Sequence, residues 1–353
     1  MAHPFTITML QWFRENGRQL PWRETRDPYA IWLSEVILQQ TRIQQGTAYW
    51  QRFMDRWPRV EDLASATEDE VLRMWQGLGY YSRARNLHTA AQQIVELGHF
   101  PNTIEEILKL KGVGDYTAAA IGSIAFDLPS AVVDGNVYRV LARHFGIDTP
   151  INTSEGKKTF TKLAQELLPE HEASSFNQAM MDFGAIQCTP QSPRCLLCPL
   201  AESCVALREG RVEDLPVKLR TLKVKTRHLI YIYIRCKGMV AIHRRGDGDI
   251  WQGLWEPVVL EARGERYEVR EMLEEMGIHL PLTSQLSNLK KDVKHVLTHR
   301  ILLADFYLLE CEERPPLPEG YLWVAEEELD NYGVPRLVEI LFEAVANHQN
   351  AKK

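Results

Sequence analysis

The hydrophobic pattern of this chain changes its period near residue 210, and that change limits the folds open to it. Over residues 7–207, apolar residues recur three and four positions apart between short breaks, which is typical of amphipathic helices. Beyond a polar, basic stretch, residues 229–235 and 239–243 have the short apolar runs of β-strands and flank a glycine-containing turn. The sequence therefore predicts an all-α domain followed by a smaller α+β domain.

The predicted boundaries follow from the same pattern. We place the helical domain at residues 1–210, an interdomain connector at 211–227 and the α+β domain at 228–345. The helices predicted in the first domain cover residues 29–45, 68–76, 84–97, 103–110, 117–126, 137–144 and 157–168. In the second domain, residues 296–309 are rich in β-forming residues, and helices are predicted at 267–276 and 336–346.

Composition narrows the class of protein. Hydrophobic residues make up 45% of the chain and charged residues 25%, as in ordinary globular proteins and unlike disordered ones. No apolar stretch reaches the roughly 18 residues of a membrane helix, and no secretion signal is evident at the amino terminus. We therefore expect a monomeric, cytoplasmic protein without a membrane partner. The net charge of −6 argues against a broadly basic DNA-binding surface, so any DNA contacts would use local basic residues and backbone amides.

Four of the six cysteines form a cluster near the end of the helical region. Their spacing is Cys188-x6-Cys195-x2-Cys198-x5-Cys204. In a cytosolic chain, such a cluster indicates a metal site rather than disulfides. Four thiolates can bind zinc or an iron–sulfur cluster, and the spacing alone leaves the metal open.

A glycine-rich turn joins two of the predicted helices. Gly112, Val113 and Gly114 permit a tight turn whose backbone amides lie at the start of the following helix. Such amides can bind a phosphate without a net positive charge. A plain helix–helix connection would use the same residues, so the turn alone leaves both interpretations open.

Two carboxylates are candidate catalytic groups. Asp134 follows an apolar segment and precedes a helix, so it is a predicted N-cap whose carboxylate the helix dipole should keep ionised. Glu35 lies in a predicted helix, and its neighbours three and four positions away are mostly apolar. Most helical glutamates are solvated, but burial on this face would raise the pKa of Glu35 and make it a general acid. An acid paired with an anion suits cleavage of a glycosidic bond.

Longer stretches resemble MutY-type adenine DNA glycosylases, members of the helix-hairpin-helix (endonuclease III) superfamily. The matching segments are Leu-Pro-Trp-Arg at 20–23, Ser-Glu-Val-Ile-Leu-Gln-Gln-Thr at 34–41, Gly-Leu-Gly-Tyr-Tyr-Ser-Arg-Ala-Arg-Asn-Leu at 77–87 and Phe-Asn-Gln-Ala-Met-Met-Asp-Phe-Gly-Ala at 176–185. The turn at 110–118 resembles the helix-hairpin-helix motif of the superfamily, and the cysteine spacing resembles its 4Fe–4S loop. The resemblance covers residues from about 8 to 210.

The resemblance implies removal of adenine mispaired with 8-oxoguanine or guanine in double-stranded DNA, and a 4Fe–4S cluster held by the four cysteines. By position, Glu35 would protonate adenine N7 and Asp134 would stabilise, or transiently bond, the sugar cation. Tyr116 and Asn136 would support that carboxylate. The positions that match substrate contacts are Trp22, Arg23, Leu38 and Gln178 for the adenine pocket, Gln40, Leu78 and Tyr80 for the base stack, and Gly112, Val113 and Gly114 for the hairpin. Without the resemblance, Leu78 and Tyr80 would more simply be core residues.

Tyr116 also distinguishes between members of the superfamily. Members that cleave the strand carry a lysine at this hairpin position and form a Schiff base with the sugar. Tyrosine cannot form one, so we expect a monofunctional glycosylase with at most weak lyase activity.

Residues 228–345 resemble the MutT-like (Nudix-fold) domain that such glycosylases use to sense 8-oxoguanine. The recognition loop would be Leu297-Thr298-His299, with Thr298 and His299 as the contacts, where family members often have Phe-Ser-His. Residues 270–278 match the second half of a Nudix box, whose glutamates hold Mg²⁺. The first half would need Glu at Ala262 and Gly at Glu256, and Gly264-Glu265 could substitute only with a three-residue deletion. We therefore expect a Nudix fold with an inactive hydrolase site.

Three alternatives remain at this point. An endonuclease III-like lyase acting on pyrimidine lesions is disfavoured by Tyr116, Glu35 and the second domain. A nucleotide pyrophosphohydrolase fused to a DNA-binding domain would need working Nudix glutamates. A lesion-binding protein without catalysis would not depend on Glu35.

Overall fold

A computed structural model of the chain describes residues 3–219, 224–262, 267–281 and 283–352. Residues 220–223 of the predicted connector, and the Gly264-Glu265 pair, lie outside the described residues. The chain divides into two compact units, Met1–Ser65 with Asn86–Arg220, and Ala66–Arg85 with Thr221–Lys353. The boundaries drawn from sequence at 210 and 228 stay predictions, and the internal segment Ala66–Arg85 groups with the carboxyl-terminal residues. Within the described ranges, no helix is both long and apolar enough to cross a bilayer.

Residues up to 208 are helical, as the 3.6-residue period predicts. The helices are α1 (Pro4–Asn16), α2 (Pro28–Leu38), α3 (Ile43–Arg56), α4 (Val60–Ser65), α5 (Glu68–Trp75), α6 (Ser82–Leu97), α7 (Ile104–Ile107), α8 (Asp115–Phe126), α9 (Gly135–Phe145), α10 (Ser154–Leu167), α11 (Ala173–Asp182) and α12 (Val205–Arg208). A five-residue π-helix, Phe183–Gln187, continues α11.

The single helix predicted over residues 29–45 is wrong. Helix α2 ends at Leu38, and α3 begins only at Ile43. Between them Gln40 has φ +57, a left-handed conformation that a continuous helix cannot contain. Ile43 lies at a position where the helical spacing of apolar residues in α2 would place one. The apolar period therefore continues across the loop, and periodicity alone could not reveal it. Helix α7 is also shorter than predicted and ends at Ile107.

Helices α2 and α8, which carry Glu35 and Tyr116, pack closely against each other. Ile31 of α2 packs with Ala119 and Ala120 of α8, and these small side chains let the helices approach. Residues four apart lie on one face of a helix. Glu35, one turn after Ile31, therefore lies next to Tyr116, about one turn before Ala120.

Among the residues that the structure describes, the second unit contains a six-stranded mixed sheet. Its strands are β1 (Lys225–Cys236), β2 (Met239–Arg244), β3 (Trp255–Glu261), β4 (Gln285–Val296), β5 (Arg300–Cys311) and β6 (Tyr321–Ala325), in the order β4-β5-β1-β3-β2-β6. Strands β1 and β5 are parallel, and the other neighbours are antiparallel. The sequence did not predict β3 or β6, and it merged the end of β4, a turn and β5 into one β-rich stretch.

Two helices cover this sheet. Helix α13 (Val269–Glu275) packs on the face that carries Ile230, Ile232 and Ile234, and α14 (Arg336–Lys352) packs on the face of Tyr231 and Tyr233. Strand β1 is thus apolar on both faces, which is typical of a strand buried inside an α/β sandwich. The predicted α+β architecture is confirmed.

In the helical unit, a buried asparagine holds the segment that leads into Asp134. Asn177 is 1% exposed. Its Oδ1 accepts a hydrogen bond from Val132 N (3.0 Å), and its Nδ2 donates to Ser123 Oγ (2.9 Å) and Ser130 O (2.8 Å). One side chain therefore ties the extended segment before Asp134 to both α8 and α11.

We expect Asn177→Ala to lower the free energy of unfolding by about 2–4 kcal/mol, because it leaves the buried N–H of Val132 and the partly buried C=O of Ser130 without their partner. Urea denaturation followed by circular dichroism measures this. The matched control is Gln165→Ala, which removes similar hydrogen bonds to Ala131 N and Pro129 O on the exposed side of the same segment and should cost less than about 1 kcal/mol. Equal effects of the two substitutions would contradict the assignment.

Candidate active site

A cavity of about 220 Å³ in the helical unit collects the candidate catalytic residues. One water needs only about 10–15 Å³, so this space can accept a much larger group. The predicted residues that line it are Trp22, Arg23, Glu35, Leu38, Tyr116, Asp134, Asn136 and Gln178. Five segments of the helical unit thus converge on one site. Arg18, Ser34, Thr41 and Met181 also line it and were not predicted.

Glu35 is buried, as its apolar neighbours predict. Its residue is 8% exposed, and burial raises the pKa of its carboxyl to about 7. A hydrogen bond from Tyr116 lowers this pKa, while the negative charge of Asp134 raises it. Loss of hydration is the largest of these effects, so Glu35 is an acid that can be protonated near neutral pH.

The hydroxyl of Tyr116 donates to Glu35, and this corrects the prediction that it supports Asp134. Its OH lies 2.9 Å from Glu35 Oε2 and 3.8 Å from Met181 Sδ. The α2–α8 packing decides this pairing. Burial, followed by the nearby carboxylates, raises the pKa of Tyr116 well above its ordinary value, so the hydroxyl stays a hydrogen-bond donor.

Asp134 is the predicted N-cap of α9. Its Oδ1 accepts from Val137 N and its Oδ2 accepts from Asn136 Nδ2, both at 2.8 Å, so the predicted support from Asn136 is confirmed. The electrostatic expectation was incomplete: burial raises the pKa of Asp134 above its ordinary value, although the hydrogen bonds from Val137 and Asn136 lower it. The hydrogen bonds at the start of α9 lower the pKa of Asp134 by less than the loss of hydration raises it.

A buried ion pair forms one wall of the cavity. The carboxylate of Asp182 is fully buried and accepts from Arg23 through both of its oxygens, at 2.8 Å each, and from Arg18 Nε at 2.9 Å. Burial raises the pKa of Asp182, but the two arginines lower it further, and the net shift is downward. The sequence identified Arg23 but gave no signal for its partner, because the two lie 159 positions apart.

Helix α9 also connects Asp134 to the cysteine loop. Arg139 Nη2 donates to Asn136 Oδ1 (2.8 Å), and Arg139 Nε donates to Cys188 O (2.8 Å). Arg139 is 8% exposed, and so this connection is shielded from solvent. Arg139 was not predicted as a site residue, although its position one helical turn after Asn136 could have indicated a role.

The glycine turn lies between α7 and α8, as predicted. Gly112 has φ +78, and a Cβ atom there would lie 2.6 Å from Asn86 Cβ, so only glycine fits. Gly112 and Gly114 are exposed and Val113 is partly exposed. The turn therefore presents backbone to solvent at the amino terminus of α8, whose first amides have no partners inside the helix.

The residues that match base-stack contacts differ in exposure. Gln40 and Tyr80 are exposed and have positive φ angles of 57° and 47°. Leu78 is only 9% exposed, and its side chain is therefore largely covered in this structure. The hydroxyl of Tyr80 is in close hydrogen-bond contact with that of Thr298.

Thr298 and His299 form the tip of the β4–β5 hairpin. Leu297 N donates to Arg300 O (2.8 Å) and closes the turn around them. Both tip residues are exposed. They lie in a loop, as the resemblance implies, and not within a strand.

The four clustered cysteines line a single small cavity with Arg143, and none forms a disulfide. All four lie in described residues, where no three of their sulfur atoms come within 4.8 Å of one another. Four thiolates around one zinc ion at 2.3 Å would be about 3.8 Å apart. The wider spacing, the all-thiolate donor set and the neighbouring guanidinium fit the larger, anionic iron–sulfur cluster.

Comparisons with known proteins agree with this geometry. Family models match residues 33–169 as HhH-GPD superfamily base excision DNA repair protein, 188–204 as the iron–sulfur binding domain of endonuclease III, and 230–344 as a NUDIX domain. The adenine DNA glycosylase of Mus musculus is 32% identical over 99% of this chain and 79% of its own length. The adenine DNA glycosylase of Homo sapiens is 31% identical over 98% of this chain and 74% of its own.

Solved structures share the helical fold. A thermostable thymine-DNA glycosylase has a TM-score of 0.54 at 32% identity, covering 58% of this chain and 95% of that one. An endonuclease III–DNA complex has a TM-score of 0.50 at 24% identity, covering 58% and 94%, and shows likeness of fold. The chain therefore belongs to the adenine DNA glycosylase family of base-excision repair enzymes, which bind DNA and hydrolyse the N-glycosidic bond of adenine. It has the 4Fe–4S cofactor and the Nudix-like carboxyl-terminal domain of that family.

Proposed function

We propose that this enzyme excises adenine mispaired with 8-oxoguanine or guanine in duplex DNA and that it lacks an efficient strand-cleaving activity. The observation that carries the mechanism is the pairing, in one cavity, of a buried acid at Glu35 with a hydrogen-bonded carboxylate at Asp134. Two carboxyl groups in different surroundings can serve as an acid and an anion at the same pH.

Glu35 is the general acid. Tyr116 donates to its Oε2, which leaves Oε1 to carry the proton of the neutral acid. Transfer of that proton to adenine N7 lets the bond between the base and C1′ break, with its electron pair leaving on a neutral base. Leucine and tryptophan side chains around Glu35 keep the acid in its protonated form.

Asp134 stabilises the positively charged sugar that remains. Asn136 and Val137 N–H hold its carboxylate, and they favour the ionised form that attracts the cation. A water molecule then adds its oxygen to C1′ and gives up a proton to a carboxylate of the site. The products are free adenine and an abasic deoxyribose.

The adenine pocket uses Trp22, Arg23, Leu38 and Gln178. Arg23 is held by the buried Asp182, so the wall that it forms is rigid. Gln178 Nε2 donates to Ser174 Oγ (3.1 Å), and this orients its carbonyl oxygen as an acceptor that suits an exocyclic amine. Such an amine is present on adenine, and reaching it requires that the base leave the stack.

The remaining predicted contacts fall into three groups. The hairpin amides of Gly112, Val113 and Gly114 would bind the phosphate backbone, and Gln40, Leu78 and Tyr80 would enter the stack around the mispair. Thr298 and His299 would contact the base opposite adenine. Cys188, Cys195, Cys198 and Cys204 are the proposed ligands of the cluster, which when bound would cross-link the loop after α11.

The second domain is proposed to sense DNA and not to hydrolyse nucleotides. In the described part of the chain, His228, Asp292 and Asp305 form the group of side chains close enough to share an ion, and no glutamate of residues 270–278 belongs to it. Glu256, where a Nudix box needs glycine, is 1% exposed and paired with Arg245. Both observations favour a Nudix fold without the Mg²⁺ site of a hydrolase.

A single assay tests substrate and chemistry together. Duplexes carrying adenine opposite 8-oxoguanine, guanine or thymine should yield alkali-labile sites in the first two only, and without alkali the strand should stay intact, because Tyr116 offers no amine. Glu35→Gln should slow excision by about 10²–10⁴-fold, the usual contribution of a general acid. The matched control is Glu155→Gln on the surface of α10, which should keep the wild-type rate. Excision opposite thymine, or strand cleavage that keeps pace with excision before alkali, would contradict the proposal.

The pH dependence of excision follows from the pKa of Glu35. The protonated acid predominates below pH 7 and is lost as the pH rises through about 7, so the single-turnover rate should fall about tenfold per pH unit above it. The raised pKa of Asp134 should produce a second decline at acidic pH, above the ordinary range of an aspartate. Rates of Glu35→Gln should lack the alkaline limb. A wild-type rate that stays constant or rises between pH 7 and 9 would exclude Glu35 as the acid.

A further inference from the structure

Contacts from outside the β4–β5 hairpin help to fix its position. Strand β1 runs parallel to β5 with Lys225 opposite Arg300, and Lys225 N donates to His299 O (3.2 Å). The tip residues Thr298 and His299 themselves are exposed. Besides the contact of Thr298 with Tyr80, the position of the tip depends on what holds its base, where Arg300 begins β5.

One carboxylate at that base accepts hydrogen bonds from three arginines. Asp249 lies between β2 and β3, and its Oδ1 accepts from Arg300 Nη1 (2.7 Å). Arg227 Nη1 donates to both of its oxygens (2.8 and 2.9 Å), and Arg245 Nη2 donates to Oδ2 (2.8 Å). The arginines come from β1, from the start of β5 and from the residue after β2, so Asp249 joins three separate parts of the unit.

A second contact reaches the hairpin from the same loop. The ring of Trp251 lies 5.9 Å from that of His295 on β4, and the guanidinium of Arg245 lies over the Trp251 ring at 5.9 Å from its centre. Trp251 has φ +62, a conformation that a bulky residue keeps only when its surroundings enforce it. We call residues 245–254 the support loop.

We propose that Asp249 is a positioning residue for recognition of the base opposite adenine, because it holds the support loop against the base of the β4–β5 hairpin and so fixes Thr298 and His299. This inference rests on the proposed role of those two residues. Nothing in it requires Asp249 to touch DNA.

The carboxylate partners of the three arginines explain why Asp249 matters more for the position of the hairpin than the neighbouring carboxylates do. Arg227 has a second carboxylate in Glu261, at 2.8 Å, and Arg245 has a second one in Glu256. In the described part of the chain, the ion pair of Arg300 is with Asp249. Loss of the Asp249 charge would leave three guanidinium groups close together, and Arg300 would be the one repelled from the site.

The test compares the rates of adenine release opposite 8-oxoguanine and opposite guanine in single-turnover experiments. In Asp249→Asn, the ratio of these rates should fall by about three- to tenfold, as expected for losing one partly exposed, charge-assisted contact. Arg300→Gln breaks the same contact from the other side while Arg227 and Arg245 keep their anion, so it should reproduce the fall. The matched control is Glu261→Gln, which removes a partner of Arg227 alone and should change the ratio by less than about twofold.

A double-mutant cycle separates positioning from general destabilisation. With Thr298 and His299 both changed to alanine, Asp249→Asn should change the ratio no further, because the side chains that it positions are absent. Wild-type ratios in both Asp249→Asn and Arg300→Gln, with the alanine variant impaired, would overturn this inference and leave the proposed function intact. A wild-type enzyme without preference for 8-oxoguanine, or an unimpaired alanine variant, would overturn this inference together with the proposed contact role of Thr298 and His299, whereas loss of adenine excision opposite both bases would overturn the proposed function itself.

Discussion

Loss of hydration at Glu35 is the constraint on which the chemistry of this enzyme depends. The same packing of α2 on α8 that buries Glu35 also buries its neighbour Tyr116 and partly encloses Asp134, and all three pKa values move upward. What distinguishes the two carboxylates is the number of donors that each receives. Glu35 accepts from one hydroxyl, whereas Asp134 accepts from a backbone amide and a side-chain amide. More donors favour the anion, so the cavity can hold an acid beside a base.

This arrangement costs folding free energy. Glu35 ionises at pH 4.5 in an exposed chain and at about 7 in the fold, so the folded state binds more protons between these values. Stability is therefore lost as the pH rises from about 4.5 to 7, by about 3 kcal/mol. Neighbouring interactions offset part of the cost. The buried amide of Asn177 holds the chain before Asp134, and Arg139 ties the helix after it to the carbonyl of Cys188. Hydrogen bonds of one side chain thereby connect the cysteine loop to helix α9.

Local chemistry was predictable from sequence where a short segment determines it. The N-cap at Asp134, the glycine turn and the burial of Glu35 were each predicted from residues within about one helical turn, and the structure confirms all three. Partners far apart in sequence were not predictable. The hydrogen bond of Tyr116 to Glu35 depends on how two helices pack. The ion pair of Arg23 with Asp182 joins residues that are 159 positions apart in the sequence. The loop after Leu38 escaped detection because Gln40 breaks the helix by its backbone angle alone. Long, specific motifs supplied the family, which periodicity could not.

Catalysis by this site depends on Glu35 holding a proton up to about pH 7, where an exposed glutamate is ionised. Difference infrared spectroscopy of the free enzyme, comparing wild type with Glu35→Gln, measures this directly through the carbonyl stretch of the protonated carboxyl group. We expect a stretch that is absent from the variant and disappears from the wild type as the pH rises through about 7. Disappearance near pH 4.5, as for an exposed glutamate, would contradict it.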